Sequence, residues 1–181
     1  MNAMTPVSAR RLLQGACLLL LACALGACGF HLRRSAALPP NMQRVHVVVN
    51  GNYPLQQRLV RALQIAGANV EDQPGTGIAE LRVPVAAFST ETLSAGGYAR
   101  VSEFAVHFQV QFDVVDGSGH TLVARQRVDM SREYSYDATN TVGNASQVQA
   151  IEQGLNDDMV QSILFRLQAA GKNAPVSPAG A

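Results

Sequence analysis

Residues Arg100–Val115 read RVSEFAVHFQVQFDVV. Phe104, Val106, Phe108, Val110, Phe112 and Val114 fall on every second position, with Glu103, His107, Gln109, Gln111 and Asp113 between them. Successive side chains of a strand point to opposite faces, so this stretch is a long strand with one apolar and one polar face. The apolar face must be buried under other elements, whereas the polar face can meet water.

Downstream, Asp116-Gly117-Ser118-Gly119 reads as a hairpin connection. Thr121–Tyr134 alternates again, with Leu122, Ala124, Val128 and Met130 against Arg125, Arg127, Asp129, Ser131 and Glu133. With Asp116 opposite His120, this register sets His107 against Asp129 and Gln111 against Arg125, unless a bulge shifts it. Upstream, Ala79–Ser89 places Leu81, Val83, Val85 and Ala87 on one face, and Pro84 marks an edge or bulged strand. Thr90–Val101 joins the two strands as a long hairpin, with Gly96, Gly97, Tyr98 and Arg100 at its tip. Arg132, Tyr134 and Tyr136 belong at the same end of the sheet.

Further out, the β-branched run Arg44–Asn50 reads as a buried strand. Pro54 suits the first turn of a helix carrying Leu55, Leu59, Ala62, Leu63 and Ala66 on one face, and Gly67 suits its stop. A short strand near Val70 and a polar loop, Asp72–Gly77, follow. Asn144, with Gln147, reads as the cap of a final helix over residues 145–170, whose stripe is Val148, Ile151, Leu155, Met159, Ile163 and Leu167. The expected fold is α+β: two helices on one face of a small four-stranded mixed sheet. The expected divisions are 1–27 leader, 28–43 lipidated N-terminus and tether, 44–171 folded domain and 172–181 disordered tail.

The leader sets the compartment. Arg10 and Arg11 precede an apolar run, and Leu25-Gly26-Ala27-Cys28 has the form of a lipobox; Leu20-Leu21-Ala22-Cys23 overlaps as a second candidate. Cys28 is expected to carry N-acyl and S-diacylglycerol groups that hold the chain to a membrane. Cys17, Cys23 and Cys28 are the only cysteines, so the folded domain has no disulfide. The chain has 14 basic and 13 acidic residues; losing Arg10 and Arg11 leaves 12 against 13, net −1, which excludes a basic nucleic-acid footprint.

No phosphate loop, paired-histidine metal spacing or nucleophile elbow occurs. His107, Asp129 and Ser131 have hydrolase-like composition, but on flat strands without an oxyanion hole they read as a solvated cross-strand pair, so no enzyme is expected. The tip, with Tyr98, Arg100 and Arg132, reads as a candidate contact for an anionic or amphiphilic ligand. Arg125, Arg127, His107 and Asp129 form a candidate partner surface.

Cys28-Gly29-Phe30-His31-Leu32-Arg33 resembles the mature start of the LPS-assembly lipoprotein family, LptE. The order of early strand and helix, long hairpin and final helix is similar too. The resemblance implies a non-enzymatic outer-membrane lipoprotein on the periplasmic side, without a cofactor beyond the covalent lipid. It implies a plug in the LptD β-barrel that helps the barrel assemble and assists lipopolysaccharide insertion at the cell surface. Arg100, Tyr98 and Arg132 then become candidate lipopolysaccharide contacts. An adaptor of another envelope complex, without lipopolysaccharide binding, is the alternative.

Overall fold

The computed structural model describes residues 38–94, 101–137 and 139–173. The leader, Cys28, most of the tether, Tyr98, Arg100 and residues 174–181 lie outside the described residues. A 3-10 turn, Pro40–Met42, leads into β1 (Arg44–Val49), α1 (Tyr53–Ile65), β2 (Asn69–Glu71), β3 (Ala79–Ser94), β4 (Val101–Val115), β5 (Thr121–Asp137) and α2 (Thr141–Asn173). The sheet order is β2-β1-β3-β4-β5, with β1 parallel to both neighbours and β3, β4 and β5 antiparallel. The expected α+β class stands, with five strands rather than four, because the short segment at Val70 pairs with β1.

Asn52 caps α1, its Oδ1 accepting from the Leu55 amide at 2.9 Å, and Gly67 closes the helix at φ +93°, where a side chain would be strained. Leu55, Leu59 and Leu63 of α1 and Leu155, Met159, Ile163 and Leu167 of α2 are fully or almost fully buried. They meet Leu81, Phe108, Val110, Phe112 and Val114 of the sheet, and Phe88 stacks on Phe108 at 4.0 Å between ring centres. The two helices also meet across a buried amide pair, Asn52 Nδ2 donating to Asn156 Oδ1 at 3.3 Å.

Four local expectations change. Pro84 sits in a bulge, one of the two expected readings, but the slip between Arg82 and Val85 changes the facing: Ala86 and Phe88 take the core side in place of Val85 and Ala87. Irregularities between Phe112 and Val115 shift the β4–β5 register by two, which makes Val123 a core residue and leaves Ala124 exposed. Hence His107 faces Ser131, Gln109 faces Asp129, and Gln111 faces Arg127. Lastly, the α2 cap is Asn140, whose Oδ1 accepts from the Gly143 amide at 3.0 Å. Asn144 instead clasps Asp137 at the end of β5, accepting from its amide at 3.2 Å and donating to its carbonyl at 2.7 Å.

Candidate functional site

The polar sheet face is organised by Asp113. Asp113 stands on the polar side of β4, between the core residues Phe112 and Val114, yet it is only 3% exposed because guanidiniums close over it from both sides. Arg82 on β3 donates to Oδ2, from Nε at 2.8 Å and also from Nη2. Arg125 on β5 donates to Oδ1, from Nη2 at 2.9 Å and from Nε at 3.2 Å. Burial favours the neutral acid, but the hydrogen bonds and positive charges of Arg82 and Arg125 outweigh it and hold the carboxyl below its ordinary value. One carboxylate is shared by two arginines, and Glu80 lines the same shallow cleft as Arg82 and Arg125.

Next along β5, Arg127 Nε donates to Asp129 at 2.8 Å. That hydrogen bond and its charge keep the Asp129 carboxyl below its ordinary range and raise the Arg127 guanidinium. Both side chains are more than half exposed. His107 lies with Nε2 at 3.1 Å from Glu91 Oε2. Asp129 is therefore paired with Arg127 rather than His107, and no His-Asp couple forms. Arg125, Arg127, His107 and Asp129 do share one face, but Arg125 is tied to the fold through Asp113 while Arg127 and Asp129 pair only with each other.

Arg132 is on the other face. It pairs across β4 with Val106, a core-facing position, and its Nη2 donates to Asp158 of α2 at 2.6 Å. Gly154 makes room for it: a Cβ there would come within 2.6 Å of Arg132 Nη1. Arg132 thus docks helix to sheet. Beyond it, Phe104 lies 5.6 Å from Tyr134 and 5.7 Å from Tyr136, ring centre to ring centre. The two tyrosines, with Ala145, Val148 and Glu152 of α2, line an open cavity of about 430 Å³. Aromatic rings and Arg132 do gather at one end of the sheet, as the hairpin geometry requires.

Asp113 and Arg82 escape a reading of the sequence. Asp113 sits on the polar side of the alternation like any solvated residue; only a bulge between flanking arginine-bearing strands marks it. Among the described residues no group of three or more His, Cys, Asp or Glu side chains could hold a metal ion. No described helix is long and apolar enough to cross a membrane.

The fold is similar to three solved lipoprotein structures. An uncharacterized lipoprotein B from Nitrosomonas europaea superimposes with a TM-score of 0.67 at 22% identity, over 80% of this chain and 94% of that one. A rare lipoprotein B from Shewanella oneidensis gives 0.62 at 15% identity, over 72% and 97%. A minor lipoprotein from Acinetobacter baumannii gives 0.60 at 18%, over 70% and 91%. No curated protein matches the chain. The model of the LptE family, described as lipopolysaccharide-assembly, matches residues 42–167, from the buried Met42 before β1 to the buried Leu167 of α2. The match spans most of the chain and the whole two-helix, five-strand core, and the protein belongs to the LptE lipopolysaccharide-assembly family.

Proposed function

We propose that the protein is an outer-membrane lipoprotein, held on the periplasmic side by acyl chains on Cys28, that seats in the LptD β-barrel as a plug. There it helps the barrel assemble and assists lipopolysaccharide insertion at the cell surface. Its role is structural rather than catalytic. Family membership over residues 42–167 carries the reading. The wet sheet face supports it: Arg82, Arg125, Arg127, Asp129, His107 and Gln111 suit the polar lumen of a barrel better than a hydrocarbon surface.

The test is affinity purification of the full-length chain from envelopes, with mass spectrometry of what comes with it. A stoichiometric LptD barrel is expected. Recovery of another envelope complex without that barrel would replace the plug by the adaptor reading. The face is probed by Arg127→Glu, which breaks an exposed pair and leaves Asp113 untouched. Contacts in such a lumen are many and wet, and desolvated like charges cost more than exposed ones. Barrel recovery should fall while the thermal melt of the chain stays unchanged.

A further inference from the structure

β3 loses one of its two neighbours halfway along. From Ala79 to Val83 it runs between β1 and β4. β1 ends there, with the Asn50 amide donating to the Val83 carbonyl at 2.9 Å. From Val85 to Ser94, β3 pairs with β4 alone among the described residues, so its other backbone edge has no strand against it. At ~3.3 Å per residue that edge is roughly 30 Å long. α1 packs mainly on β1 and β2, and α2 mainly on β5 and β4, so among the described residues only Ala86 and Phe88 of this part of β3 pack against the core. Ser89–Ser94 is accordingly exposed on both faces, Leu93 by 45%.

Native sheets blunt their edges with charge, proline or a covering element. β5, at the far side of the sheet, carries Arg125, Arg127, Asp129, Arg132 and Glu133 and lies under α2. The open stretch of β3 reads VAAFSTETLS, with Glu91 its one charge and with Pro84 stopping short of it. Such an edge is a template for strand addition: backbone groups supply affinity, and alternate side chains supply selectivity.

We propose that the Val85–Ser94 edge of β3 takes up an extended segment of a partner polypeptide as an added strand, and that this segment alternates basic with apolar side chains. The basic side follows from the outer face. Glu91 and Glu133 flank Ala105 on either side of β4, and Glu103 lies on the same face one step along. Glu103 meets the Ser94 hydroxyl at 3.4 Å, Glu91 meets His107, and no described Lys or Arg pairs with any of the three. The apolar side follows from Ala86 and Phe88, half-buried against the core, where an added side chain would extend the Phe88–Phe108 stack. A second copy of the chain fits less well, because its own β3 would bring another Glu91 to the acidic strip.

The full-length chain in detergent is titrated with a labelled synthetic peptide alternating lysine and valine. Its N-methylated twin, which cannot complete the ladder, and a glutamate–valine peptide serve as controls. Backbone amide exchange is read throughout. The lysine–valine peptide should bind and protect amides within residues 85–94. Backbone N-methylation and Glu91→Lys should each weaken binding by about tenfold or more, the latter with an unchanged melt. Equal binding by the N-methylated twin, preference for the glutamate peptide or protection only outside 85–94 would overturn the proposal. So would protection that rises with protein concentration in the absence of peptide, because it would assign the edge to self-pairing.

Discussion

Asp113→Asn keeps the shape of the Arg82–Asp113–Arg125 cluster and removes its negative charge. Hydrogen bonds to charged groups are each worth about 1.5–3 kcal/mol when well shielded. The carboxylate is 5% exposed at its side chain, but the guanidiniums are 41% and 60% exposed, so water and salt weaken both pairs toward the ~0–1 kcal/mol of surface ion pairs. The variant also leaves two guanidiniums facing each other. The expected loss at neutral pH is about 2–3 kcal/mol, which for a domain of this size lowers Tm by roughly 5–10 °C. The pH dependence carries the stronger test. The folded carboxyl titrates below its ordinary 3.8, so its contribution is fully present above that value and is lost as pH falls through the folded-state value. Urea unfolding of the wild type and variant at neutral pH and in strong acid measures the gap. It should close in acid. A gap that persists undiminished in acid, or a neutral-pH loss under about 0.5 kcal/mol, would refute the assignment of Asp113 as the hub of this face.

Phe108→Ala, at a fully buried ring stacked on Phe88, should cost about 3–5 kcal/mol by chemical denaturation, while Gln109→Ala on the polar face stays within about 0.5 kcal/mol. Gly154→Ala should leave stability within about 1 kcal/mol, since better helix propensity offsets a half-exposed ion pair, yet abolish the coupling between Arg132→Ala and Asp158→Ala in a double-mutant cycle. Arg125→Glu sets a carboxylate against Asp113 and should lower Tm, whereas Arg127→Glu should not; equal melts would place Arg125 outside the cluster. If Cys28 is the acylated residue, Cys28→Ala should shift the protein from the membrane to the soluble fraction, and intact mass should show the loss of the acyl groups.

The six alternating residues from Phe104 to Val114 were enough to establish the long strand and its two faces. Hydrophobic period is a local property, and burying that face requires the helices whose stripes begin at Leu55 and Val148. Gly67, Pro84 and the Asp116–Gly119 turn were legible for the same reason, as backbone demands met within a few residues. The lipobox motif at Cys28 is likewise local, although it lies outside the described residues. Pairing is not local. Two irregularities between Phe112 and Val115, each with one extra residue on β5, move every later partner on β5, so the contacts of Asp129, Gln111 and Arg125 depended on how the β4–β5 pair is bulged. Arg132 shares the parity of Val128 and Met130, so the alternation puts it on the core side, but its partner Asp158 and the space left by Gly154 appear only once α2 packs on the sheet. Asp113 carries no mark in the alternation; two arginines from different strands converge on it only once the sheet is assembled. The open edge of β3 is also a tertiary fact, because β1 stops at Val49 while β3 continues to Ser94, and the relative lengths of neighbouring strands appear only in the finished sheet.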